Sequence, residues 1–181
     1  PPPDTDYSAD LWAPELHSIR GRWYIYVAAA NPDQGNRSHR MYVLGGPPAD
    51  KDPTEGHWEN LGRIRNLPQE QWQIDGTVFT INNQLYLVYS GWPFDNPDAS
   101  DLVQELFIVP LTSAATAEHT QPVRISTPDQ PWEWTDDHGI NEGPEWVESP
   151  DGTWQGLLYS CAGSWTKDYK MATLQYLGGD P

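Results

Sequence analysis

Ile140-Asn141-Glu142-Gly143-Pro144-Glu145-Trp146 sets a carboxylate at the mouth of an apolar run. The run passes through Trp146-Val147, turns at Ser149-Pro150-Asp151-Gly152 and returns as Leu157-Leu158-Tyr159. Gly143 and Pro144 follow Glu142 directly, so the chain there is bent or extended and not helical. Trp134 and Trp146 lie nearby in sequence, and apolar surroundings raise a carboxyl pKa toward the range a general acid needs. Most glutamates in such a setting are exposed loop residues. The recurrence of the same setting twice upstream changes that reading.

The first occurrence is Trp12-Ala13-Pro14-Glu15-Leu16-His17-Ser18-Ile19, a turn at Arg20-Gly21, and Arg22-Trp23-Tyr24-Ile25-Tyr26-Val27. The second is Gln73–Ile81, a turn at Asn82-Asn83-Gln84, and Leu85-Tyr86-Leu87-Val88-Tyr89. β-branched and aromatic runs split by Gly- or Asn-containing turns predict hairpins. Further runs at 39–44, 58–64, 105–109, 123–125 and 169–176 predict outer strands. Pro110 and the β-branched residues favour a strand over a helix at 102–109. Residues 112–120 offer at most one helical turn.

Aligned on their hairpins, Trp12-Ala13, Ile74-Asp75 and Asn141-Glu142 fall in one register, two or three residues ahead of each first strand. Their spacings are 75 − 13 = 62 and 142 − 75 = 67. A meander repeating at this interval predicts an all-β fold, a β-propeller whose blades carry long loops. The first strand of each blade lines the axis. Asp75 and Glu142 are therefore expected to converge at one end of the channel. The chain reads as a single, incomplete propeller domain over 1–181, with blades at about 8–65, 66–130 and 131–181. Three blades do not close a propeller. The Pro1-Pro2-Pro3-Asp4 start is no signal peptide, and a processed or truncated piece of something longer is the expectation.

Net charge is −16, from 10 basic and 26 acidic residues. That argues against nucleic acid and anionic membranes, which such a chain repels, and leaves a neutral ligand such as a carbohydrate. No stretch has the ~18–20 apolar residues of a membrane helix. Cys161 is the single cysteine, so no internal disulfide forms. His17, His39, His57, His119 and His138 show no metal spacing and read as surface residues. Ten Trp and nine Tyr against three Phe suit a groove that stacks on sugar rings, as they also suit ordinary strands.

These segments, in this order, resemble glycoside hydrolase family 43. The carrying residues are Trp12-Ala13-Pro14-Glu15-Leu16 with Gly21–Tyr26, Ile74-Asp75-Gly76-Thr77-Val78-Phe79 with Leu85–Tyr89, and Asn141-Glu142-Gly143-Pro144. The resemblance implies a five-bladed propeller that hydrolyses α-L-arabinofuranosyl linkages with inversion, in a secreted enzyme. It implies Glu142 as general acid and Asp75 as the residue that orients it and raises its pKa. The acid and base of an inverting pair stand roughly 6.5–9.5 Å apart. No counterpart of the general-base aspartate is found in this chain. Substrate contacts are expected at Trp12, Ala13, Ile74, Trp92, Asn141 and Trp165, with Ala13 leaving room for the sugar and Trp12 forming a wall.

No cofactor is required by this reading. A structural calcium occurs in some members of the family, and nothing in the chain argues for or against one. The expected partners are an arabinose-containing polysaccharide or oligosaccharide and the missing blades of the same parent chain. Alternatives are a β-xylosidase or endo-arabinanase of the same family, a non-catalytic carbohydrate-binding propeller, and a propeller acting on β-fructosides. The last fits Asn141–Pro144 less well. Depth of the loops at 31–38, 92–101 and 131–139 is expected to decide specificity.

Overall fold

The structure is a computed structural model and describes residues 1–96, 101–179 and 181. Its strands are β1 (Ala9–Ile19), β2 (Arg22–Ala30), β3 (Arg40–Pro48), β4 (Glu59–Arg63), β5 (Gln73–Ile81), β6 (Gln84–Gly91) and β7 (Val103–Ser113). β8 (Thr116–Ala117), β9 (Val123–Ser126), β10 (Trp134–Thr135), β11 (His138–Glu148), β12 (Gln155–Cys161) and β13 (Lys170–Gln175) follow. Short 3-10 turns at Gly35–Ser38 and Pro131–Glu133 interrupt the strands. Residues 97–100 of the expected 92–101 loop lie outside the described residues.

Three antiparallel meanders follow one another: β1-β2-β3-β4, β5-β6-β7-β9 and β11-β12-β13. The second and third are joined by a short parallel pairing, Gly139 with Val103 and Ile140 with Gln104. β5 packs against both β1 and β11. The three first strands therefore stand side by side as the inner edges of a partial β-propeller. The turn at 112–120 is not helical: β7 runs to Ser113 and folds back as β8.

The middle meander is covered on both sides, which explains the unbroken apolar run in β6. Its side chains alternate between faces. Leu85, Leu87 and Tyr89 enter a core shared with Tyr26, Met41 and Val43 of the first meander. Tyr86 and Val88 enter a second core with Leu157, Tyr159 and Cys161 of the third. Each such side chain contributes about 1.5–3 kcal/mol through burial. Buried polar tips are paired: Tyr26 Oη donates to Ala114 O at 2.6 Å and Tyr89 Oη to Gln71 Oε1 at 2.8 Å.

The expected site positions lie inside the first strands, not ahead of them. β1, β5 and β11 each continue through a bulge, between Trp12 and Glu15, Ile74 and Thr77, and Glu142 and Glu145. At the bulge two residues face one on the partner strand, which breaks the alternation that marks a strand in sequence. Ala13, Asp75 and Gly143 occupy the same bulge position with φ of 43°, 53° and 57°. The register is thus corrected by one residue in the third meander. Glu142 matches Ile74 and Trp12, and Gly143 matches Asp75.

Leu87 has no exposed surface and lies at the centre of this packing. In the full-length protein, Leu87→Ala is expected to cost about 2–5 kcal/mol in chemical denaturation. A loss below about 1 kcal/mol would mean that the middle meander is not held between two cores.

Candidate active site

The bulges of β5 and β11 bring Asp75 and Glu142 together across 67 positions of sequence. Asp75 takes the left-handed conformation that Asp tolerates better than most residues. Gly76 follows because a Cβ there would stand 2.6 Å from Met41 Cε. The Asp75 carboxylate accepts a hydrogen bond from the Gly143 N–H, 3.1 Å from Oδ2. One bulge is thereby fastened to the other beside Glu142.

Neither carboxylate forms an ion pair among the described residues. Burial raises the Asp75 pKa to about 6, against the lowering effect of the Gly143 hydrogen bond. Burial also raises Glu142, and the charge on Asp75 adds to it, bringing its pKa to about 7. The two groups are staggered, so between these values Asp75 is charged while Glu142 still carries a proton. A carboxyl that keeps its proton near neutrality can act as a general acid.

Below the bulges a second acidic pair crosses the axis. Glu15 and Glu145 occupy equivalent positions on β1 and β11. Burial, then the Glu15 charge and a hydrogen bond to it, raises the Glu145 pKa. His17 Nε2 lies 2.7 Å from Glu15 Oε2.

The other expected residues divide. Trp12 is 40% exposed and stacks on His39 at a centroid distance of 3.9 Å. His39 is no surface residue: it is fully buried, with its ring nitrogens 2.9 Å from the Asp10 and Asn36 carbonyl oxygens. Ala13 is exposed beside Trp12. Trp165 is 63% exposed and meets His138 edge-on at 5.6 Å.

Ile74, Trp92 and Asn141, also expected as substrate contacts, are buried. Ile74 belongs to the first core, and Trp92 stacks on Trp72 at 4.9 Å. Asn141 is fully buried, its Nδ2 donating to Ser126 Oγ at 2.7 Å and its carbonyl accepting from Ser90 Oγ at 2.9 Å. It ties β11 to the middle meander. Trp146 stacks on Phe79 at 4.4 Å in the second core, and Trp134 Nε1 donates to Pro128 O at 2.8 Å. The Glu142 shift is caused by burial and Asp75.

Tyr169, not among the site residues expected from the sequence, donates its phenol hydrogen to Glu142 Oε1 at 3.0 Å. It stands on the loop one residue before β13, at the start of the run 169–176 in which a strand was expected. No group of three or more His, Cys, Asp or Glu among the described residues is placed to hold a metal ion.

The family profile described as "Glycosyl hydrolases family 43" matches residues 2–178. An extracellular exo-alpha-(1->5)-L-arabinofuranosidase of Streptomyces chartreusis is 37% identical over 142 residues, 78% of this chain and 40% of that protein. Alpha-L-arabinofuranosidase 43 of Humicola insolens is 37% identical over 141 residues, 78% of this chain and 27% of that protein. The crystal structure of an alpha-L-arabinofuranosidase from Lactobacillus brevis superposes with a TM-score of 0.76 at 29% identity, covering 96% of this chain and 52% of that one. The chain thus spans well under half the length of these sequence relatives.

The carboxyl shifts make a stability prediction. Glu142 has a folded pKa of about 7 against an ordinary value of 4.5. A raised carboxyl contributes fully below its unfolded pKa, and that contribution is lost as pH rises through the folded one. Glu142→Gln, which cannot ionise, is expected to match the parent at pH 4 and to exceed it by roughly 2–3 kcal/mol at pH 8. Denaturant melts at the two pH values check this. Equal stability at pH 8 would refute the burial of Glu142.

Proposed function

Because the chain belongs to the glycosyl hydrolases of family 43, we propose that it is the acid-bearing part of an inverting α-L-arabinofuranosidase. The observation that carries the reading is the Asp75–Glu142 pair, two carboxyls from separate meanders with staggered protonation. Glu142 is the general acid. Asp75 keeps it protonated by charge and, through Gly143, fixes the bulge beside it.

The substrate class is a terminal α-L-arabinofuranosyl unit of arabinan or arabinoxylan. The names of the Streptomyces and Humicola relatives support the sugar, and the word extracellular in the Streptomyces name supports secretion. Trp12 offers an apolar face for the sugar and Ala13 leaves it room. Trp165, exposed to solvent, is assigned to the rim.

Hydrolysis needs the glycosidic carbon–oxygen bond to break as Glu142 passes its proton to the departing oxygen. Water attacks from the opposite face and loses a proton to a second carboxylate. That base is not identified in residues 1–181, so the whole protein is the object to assay.

In the full-length protein, Glu142→Gln is expected to lower kcat on an arabinofuranoside with an unactivated leaving group by about 10²–10⁴-fold. Asp75→Asn is expected to move the alkaline limb of the kcat/KM profile below its parent position near pH 7, because the charge that raises Glu142 is gone. Parent-level cleavage by the Glu142 variant, or an unmoved limb in the Asp75 variant, would refute the assignment.

A further inference from the structure

Glu142 has two oxygens, and an acid delivers its proton from only one. Tyr169 Oη–H donates to Oε1 at 3.0 Å. Ser160 sits directly opposite Glu142 in the β11–β12 pairing. Its hydroxyl acts on the Tyr169 phenol, favouring the ionised form, and its Oγ lies 3.7 Å from where a Cβ on Gly143 would project. The serine and the tyrosine thus flank Glu142 from β12 and the loop before β13.

We infer that Tyr169 is a positioning residue that directs the Glu142 proton to Oε2. This inference rests on the reading of Glu142 as the acid. A protonated carboxyl has one hydroxyl oxygen and one carbonyl-like oxygen, and only the latter readily accepts a hydrogen bond. With the tyrosine hydrogen on Oε1, the carboxyl's own hydrogen belongs on Oε2.

The same bond gains strength during the reaction. As Oε2 gives its proton to the departing oxygen, that oxygen keeps the electron pair of the broken bond and Glu142 becomes an anion. A hydrogen bond to an ionised acceptor is roughly twice as strong as one to a neutral group. Stabilisation that grows toward the transition state raises kcat and not merely affinity. Tyr169 remains a neutral donor throughout, because burial pushes its pKa up to about 12. Its bond also opposes the rise of the Glu142 pKa that burial and Asp75 cause.

Two consequences separate this role from structural support. Without the phenol oxygen, Glu142 should hold its proton to higher pH, yet deliver it less well. The loss should also depend on how much protonation the leaving group needs.

The test is Tyr169→Phe in the full-length protein, assayed on an alkyl and a dinitrophenyl α-L-arabinofuranoside. On the alkyl substrate kcat is expected to fall roughly 10- to 100-fold, the worth of one hydrogen bond to a charged group. On the dinitrophenyl substrate the change is expected to stay within about threefold, because that leaving group departs as a stable anion and asks little of an acid. The alkaline limb is expected to move up. Equal losses on both substrates, or an unmoved limb, overturn the inference.

Glu142→Gln in the same series keeps the two readings apart. If it fails to discriminate between the leaving groups, the acid assignment falls. If it discriminates and Tyr169→Phe does not, only the role of Tyr169 falls. Tyr169 is 41% exposed, so its variant is expected to fold. Should its melting temperature collapse, Ser160→Ala carries the test with the same signs and smaller losses.

Discussion

A carboxylate withdrawn from water must find a donor or keep a proton. The structure meets that demand for Asp75 and Glu142 with one backbone N–H, that of Gly143, bound to Asp75. Glu142 receives a tyrosine hydroxyl instead. A lysine or arginine between them would let both ionise and would leave no acid. Among the described residues, the staggered protonation therefore depends on a scarcity of positive charge at the two bulges.

Such a site needs walls that do not relax. Adjacent bulges are held by different means in each meander. Gly76 presses on Met41, and Asp75 uses a backbone conformation that most side chains avoid. In the third meander glycine takes the same conformation at little cost. Asn141 then anchors the strand to Ser90 and Ser126, although its own Oδ1 is buried without a partner. An unpaired buried acceptor costs on the order of 1–3 kcal/mol. The middle meander can absorb that cost because it is packed between two apolar cores.

This division explains what the sequence revealed and what it hid. The hairpins were legible because Leu85–Tyr89 and Arg22–Val27 are long β-rich runs next to clear turns. The pairing of Asp75 with Glu142 was legible from the repeat and from resemblance. The one-residue error in register was not avoidable by pattern alone, since a bulge inserts a residue without changing composition. The burial of Ile74, Trp92 and Asn141 was hidden for a related reason. Proximity along the chain to a site residue does not say which face of a strand is shown, and each of the three turns into packing. The contacts of His39 and Tyr169 were hidden because their partners, Trp12 and Glu142, lie far off in sequence and join them only through meander packing.

The lower pair, Glu15 and Glu145, completes the electrostatic logic of the axis. It repeats the problem of the upper pair with β11 shared and β1 in place of β5, yet it is answered differently. His17 sits against Glu15, so positive charge is available there when the imidazole is protonated. Its influence lowers Glu145, while burial and the Glu15 charge act the other way. Glu15 also raises Asp75, so negative charge at the lower level is felt at the upper one. Moving His17 up to the level of the bulges would favour ionisation of Asp75 and Glu142 together. Kept two residues beyond Glu15 on β1, it steadies the lower pair and leaves the upper pair with the unequal proton affinities that acid catalysis requires.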